Sequence, residues 1–191
     1  MIHRAAPLLT ATLLFVITSV TLTEPAEARR AFARGQHGAA GAYAHQGQYG
    51  SRAGARAFGA NGGFSARAAS FNGPNGTNGQ LAAGGAYKRG VGGFRAKQFS
   101  AEGANGGSAN RYMNNAYNAQ TGTGVRNSGA SYTNPQGQSY GYNGTTSYAK
   151  GQGATSSIDT QNKGDYTVDW QKGQKPVVTP VPTTVPAAEM P

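Results

Sequence analysis

The chain has no cysteine. Disulfide staples, thiolate metal sites and thiol nucleophiles are therefore excluded together, and any order must come from backbone pairing, turns and packing of other side chains. Large aliphatic residues are nearly as scarce. Between Arg29 and Lys175 they are thinly scattered, as at Leu81, Val91, Met113, Val125, Ile158 and Val168. Leu, Ile, Val and Phe together fall below the roughly 20% at which a globular core becomes doubtful. The nominal 37% hydrophobic content is mostly alanine and the first 28 residues. Ordering each residue costs about 1–2 kcal/mol of backbone entropy, and so few large side chains cannot offset that by burial. A compact independent domain is not expected unless strands stack repetitively or copies of the chain associate.

Motifs that carry chemistry are also missing. The sequence holds no GxSxG, no HExxH and no Walker phosphate loop. His37 and His45 stand eight apart with no neighbouring carboxylate, and Asp159, Asp165 and Asp169 match neither a calcium β-roll nor an EF-hand. Neither a metal nor a cofactor is expected, and no catalytic residue can be named, so an enzyme is not the reading.

Only one long apolar run occurs, Leu8 to Leu22, preceded by His3 and Arg4 and followed by Ala26-Glu27-Ala28. That order is the pattern of an export signal with small residues at the cleavage site, which gives a leader over 1–28 and a processed chain starting at Arg29. A secreted, periplasmic or cell-surface destination follows, with no membrane-spanning segment after cleavage.

Acidic residues are absent from Arg29 to Ala101, where Arg29, Arg30, Arg34, Arg52, Arg56, Arg67, Lys88, Arg89, Arg95 and Lys97 are all basic. The whole chain carries +10. Such a one-sided stretch attracts polyanions without sequence preference, so these residues are the candidate contacts to lipopolysaccharide, acidic polysaccharide or extracellular DNA. No sequence-specific nucleic-acid partner is expected: Arg-Gly steps occur only at Arg34-Gly35 and Arg89-Gly90, and no Arg-Gly-Gly is present. Glycines at 35, 38, 41, 47, 50 and 54 come too often for a helix, and residues 29–72 read as a disordered basic arm.

What the sequence has in quantity is glycine, 30 residues, and tyrosine, 10 residues. They are placed regularly. Gly76, Gly106 and Gly137 are each followed eleven positions later by an aromatic residue, Tyr87, Tyr117 and Tyr148, and five positions beyond those stand Gly92, Gly122 and Gly153. Gly164 with Trp170 makes a shortened fourth copy, and the four turn glycines are 30, 31 and 27 apart. Such a period marks a repeat architecture. Within the copies the alternation is two: Tyr140, Tyr142, Gly144, Thr146 and Tyr148 fall on one side, with Ser139, Gly141, Asn143, Thr145 and Ser147 on the other. Period two is the signature of a pleated strand with unlike faces.

The fold class that results is mostly β, a series of Gly/Tyr/Asn-rich hairpins or a meander over 73–174, behind the basic arm and ahead of a Pro/Val/Thr-rich tail, 175–191, expected to be disordered. The Asn-Gly pairs at 75–76, 78–79, 105–106 and 143–144 favour type I′ turns. Trp170 lies six residues after Gly164, an even offset where the other copies are odd, so either its face inverts or its turn is shifted by one. The low-charge strand Ser139–Tyr148 is suited to pairing with another chain. Two functions remain in view: an exported structural or matrix protein that self-associates through its β-strands, and a soluble cationic envelope protein that binds polyanions through residues 29–97.

Overall fold

The computed structural model describes residues 28–182. The leader expected over 1–28 falls almost wholly outside them, as does the end of the tail. The described chain is one antiparallel sheet of twelve strands: β1 Arg29–Gly35, β2 Gly38–Gly47, β3 Gly50–Gly59, β4 Gly62–Asn72, β5 Asn78–Lys88, β6 Gly92–Glu102, β7 Ser108–Asn118, β8 Thr123–Thr133, β9 Ser139–Ala149, β10 Gly153–Thr160, β11 Asp165–Gln171 and β12 Val177–Val181. Spatial order equals chain order, so the sheet is a simple meander with β1 and β12 at its edges. One repeat of about 30 residues is two strands with their loops, which explains why corresponding positions recur on alternate strands.

Residues 29–72, expected to be a disordered arm, form β1–β4. Frequent glycine argues against a helix and leaves a strand open. In Ser51-Arg52-Ala53-Gly54-Ala55-Arg56-Ala57-Phe58 the large residues Arg52, Arg56 and Phe58 keep period two with alanine between them, and alanine and glycine pass easily beneath neighbouring side chains. The tail is likewise ordered in part, since Val177–Val181 pairs with β11. Pro180 is tolerated there because β12 has a neighbour on one side only.

The turns correct a second expectation. No non-glycine residue among those described has positive φ, which rules out the type I′ geometry because that turn needs positive φ at both central positions. Instead the β4–β5, β6–β7 and β8–β9 loops each close with a type I turn followed by one left-handed glycine. The Gly76 amide donates to the Gly73 carbonyl at 3.1 Å, Gly106 to Gly103 at 3.0 Å and Gly137 to Asn134 at 2.9 Å, and the three glycines have φ of +77°, +81° and +81°. Pro74 and Pro135 occupy the second position of that turn, where their fixed φ fits. Asn78-Gly79 and Asn143-Gly144 lie inside strands.

At the opposite end of the sheet Gly122 sits in its bend with φ +69°. Gly92 and Gly153 do not. They open β6 and β10, and the left-handed glycines of those bends are Gly90 and Gly151, two residues earlier. Gly92 and Gly153 are small for another reason: a Cβ there would strike the carbonyl oxygens of Tyr117 and Trp170 on the next strand.

This sheet is a single layer. No hydrophobic side chain among the described residues is buried, and no polar one either. The positions that are covered are glycines. Gly79, Gly124 and Gly129 are buried, each roofed by the ring of the residue directly opposite, Phe71, Tyr148 and Tyr112. An aromatic ring laid over a bare glycine shields backbone that a Cβ would otherwise cover.

Candidate functional site

Directly opposed residues in an antiparallel ladder share a face, and neighbours in sequence take opposite faces. Tracing the twelve strands through their registers therefore sorts every strand residue. One face receives Arg30, Arg34, Arg52, Arg56, Arg67, Arg95, Lys97, Arg111 and Arg126. All of these side chains are exposed. The same face receives most strand aromatics, among them Phe58, Phe71, Phe99, Tyr132, Tyr140, Tyr142 and Tyr166. The strand carboxylates, Glu102, Asp159, Asp165 and Asp169, all lie on the other face. Charge that looks merely uneven along the sequence is thus separated through the thickness of the sheet.

The repeat aromatics form one lateral row on the basic face. The registers read Phe58↔Gly63, Gly63↔Tyr87, Tyr87↔Gly93, Gly93↔Tyr117, Tyr117↔Gly124, Gly124↔Tyr148, Tyr148↔Ala154 and Ala154↔Trp170. Rings on β3, β5, β7, β9 and β11 are separated by glycine or alanine on the strands between. The bare Gly124 lets the ring of Tyr148 lean across β8 toward Tyr117, with centroids 6.2 Å apart and planes within 3°. The Tyr148 hydroxyl donates to Asn115 Oδ1 at 3.1 Å, which fixes the lean. Trp170 joins the row on the same face as Tyr148, so the even spacing before it is absorbed by the 161–164 loop: the turn is shifted and the face is kept.

A second group lies nearer the other end of the strands. Leu81, Phe99, Arg111, Ala130 and Tyr142 are successively opposed across β5–β9, and Tyr132 faces Tyr140 directly. Together with Lys97 these side chains line a depression of about 840 Å³. Another, of about 900 Å³, is lined by Tyr117, Tyr148 and Trp170 among others. Arg30, Arg56, Arg67, Arg95, Lys97 and Arg126 occupy the band between the two aromatic zones, whereas Arg52 and Arg111 lie in the row of the second zone and Arg34 in the row of the first.

The opposite face is different in kind. Across β1–β6 it presents alanine, as at Ala40, Ala42, Ala53, Ala55, Ala66, Ala68 and Ala82. Across β7–β11 it presents hydroxyls and amides joined strand to strand. Thr145 donates to Asn127 Oδ1 at 2.9 Å, Tyr112 to Asn143 Oδ1 at 3.0 Å and Thr155 to Asp169 Oδ1 at 2.7 Å.

Of the basic residues named from sequence, seven share the aromatic face: Arg30, Arg34, Arg52, Arg56, Arg67, Arg95 and Lys97. Arg29 and Lys88 point to the alanine face and Arg89 lies in the β5–β6 turn. Arg111 and Arg126 share this face but lie beyond Glu102, where the sequence becomes mixed in sign and gives no reason to single them out. Parity counted along each strand gives their face once loop lengths are known. Comparison of the chain with protein-family models, with curated proteins and with solved structures finds no match.

Proposed function

We propose that the chain is an exported, non-enzymatic structural protein of the cell envelope or extracellular matrix, and that it works by assembling with copies of itself. The observation that carries this reading is the single-layer sheet with no buried side chain. A layer that buries nothing has little to set against the entropy of ordering, and a partner layer supplies the missing burial. Sheets of small residues reach stability by stacking.

The mode of association differs from simple edge pairing. Ser139–Tyr148 belongs to β9 and is already paired on both sides, by β8 and β10. The true edges carry deterrents: β1 has Arg29, Arg30 and Arg34, and β12 has Pro180. The alanine face carries charge only at strand ends, at Arg29, Lys88 and Glu102, and adds the exposed rings of Phe64 and Phe94 to its alanines. With six strands at normal strand and residue spacings, its β1–β6 portion offers roughly 900 Å² per copy, comparable to the ~800 Å² per partner of a standard stable interface. Two copies joined back to back through it leave both basic, aromatic faces outward. The leader pattern at 1–28 supports a site of action outside the cytoplasm.

Sedimentation velocity of the processed chain over a range of concentrations tests this. Association is expected in the parent and is lost in the Ala55→Glu, Ala68→Glu variant, whose far-ultraviolet circular dichroism keeps its β signature. A parent that stays monomeric at every concentration, or a variant that associates equally well, rejects the proposal.

A further inference from the structure

The geometry points to a second activity on the opposite side of the sheet: the basic, aromatic face binds single-stranded nucleic acid without sequence preference. Three observations combine. The band of cations is unopposed by any strand carboxylate, since all of those lie on the far face. Arginine outnumbers lysine in it, and the guanidinium fork pairs with phosphate oxygens two at a time. Cations and rings also meet in one concavity, where Lys97 and Arg111 stand among Phe99, Tyr132, Tyr140 and Tyr142.

That combination matches what a single strand needs. Its phosphates require a row of positive charge, and its unpaired bases offer flat π faces that stack on exposed aromatic side chains. A duplex hides its base faces and gains only the charge term. An acidic or sulfated polysaccharide also gains the charge term but has no base to stack. The inference shifts the polyanion surface from the linear stretch 29–97 to a face that runs from β1 through β9. It does not rest on self-association, because the surface lies on the side of the sheet away from the alanine face.

The test uses the processed chain with a fluorescein-labelled oligothymidylate and, separately, heparin, titrated at several salt concentrations while sedimentation records the oligomeric state. Oligothymidylate is expected to bind with a steep negative dependence of log K on log salt. Replacing Lys97, Arg111 and Arg126 by Gln should flatten that slope by about 2, at about 0.7 per phosphate contact. Replacing Lys88, Lys150 and Lys172 by Gln removes the same charge from the far face and the turns and should leave the slope nearly unchanged. Tyr140→Leu with Tyr142→Leu should weaken oligothymidylate about tenfold, the loss of roughly one stacked base, and leave heparin binding as it was. Equal flattening by the two triple variants would mean net charge alone and would overturn the site. Oligothymidylate affinity indifferent to the two tyrosines would overturn the nucleic-acid assignment and leave an acidic polysaccharide as the occupant. In either case the Ala55→Glu, Ala68→Glu variant should bind as the parent does, which keeps failure of this inference distinct from failure of self-assembly.

Discussion

Tyr117 and Tyr148 are coupled through a glycine, and the coupling has a size that can be worked out. Their rings lie 6.2 Å apart and nearly parallel, with that of Tyr148 above Gly124. An aromatic pair of this kind contributes about 0.5–1.5 kcal/mol beyond area burial. Tyr148→Leu also removes the hydroxyl bond to Asn115, a further ~0.5–1.5 kcal/mol, whereas Tyr117→Leu removes the ring pair alone. Tyr148→Leu should therefore destabilise by roughly 1–3 kcal/mol and Tyr117→Leu by roughly half that. The double variant should fall short of additivity by about 1 kcal/mol. For a chain of this length 1 kcal/mol shifts Tm by about 2–4 °C, so both urea titration and thermal melts can resolve it. Trp170, the one tryptophan of the chain, lies in the same row and serves as the fluorescence probe. Protein concentration must be held fixed, because association would itself raise the apparent stability. Tyr43, on β2, makes the control: its cycle with Tyr148 on β9 should be additive. Additivity of Tyr117 and Tyr148 within about 0.3 kcal/mol would show that the rings do not interact, and the aromatic row would lose its energetic meaning.

Two further outcomes separate sheet geometry from composition. Gly93→Ala places a methyl 2.7 Å from the Ala86 carbonyl oxygen and 3.1 Å from Tyr87 Cα, backbone that cannot step aside, whereas Gly106→Ala meets nothing within 4 Å and carries only the cost of its φ of +81°, about 1–2 kcal/mol. The urea midpoint should fall clearly further for Gly93→Ala, and equal midpoints would refute the β5–β6 register. Limited trypsin digestion read by mass spectrometry should cut after Lys163 and Lys172, in turns, well before it cuts after Arg52, Arg56 and Arg67, in β3 and β4. Early cleavage at those arginines would restore the disordered arm.

Local chemistry is written along the chain itself. Period two in Tyr140–Tyr148 and the recurrence of Gly76, Gly106 and Gly137 are properties of residues near one another in sequence, so the strands of β5–β11, the places of those three turns and the 30-residue repeat are legible from the residues alone. Residues 29–72 are the exception: alanine alternating with arginine gives a weak hydrophobic signal, although its period is that of a strand. The turn type is not legible either, since Asn75-Gly76 and Asn105-Gly106 suggest type I′ and form type I with a left-handed glycine. What faces what depends instead on long-range register. Whether Arg126 lies with Arg67 or against it follows from the parity of every loop between them, and a shift of one residue in any loop would send the later side chains to the other side. The turns settle that parity through the conformations of their glycines, such as left-handed Gly76 and Gly106, which composition does not reveal. For that reason the separation of cations from carboxylates, and the row that runs from Phe58 to Trp170, emerge only when the twelve strands are paired.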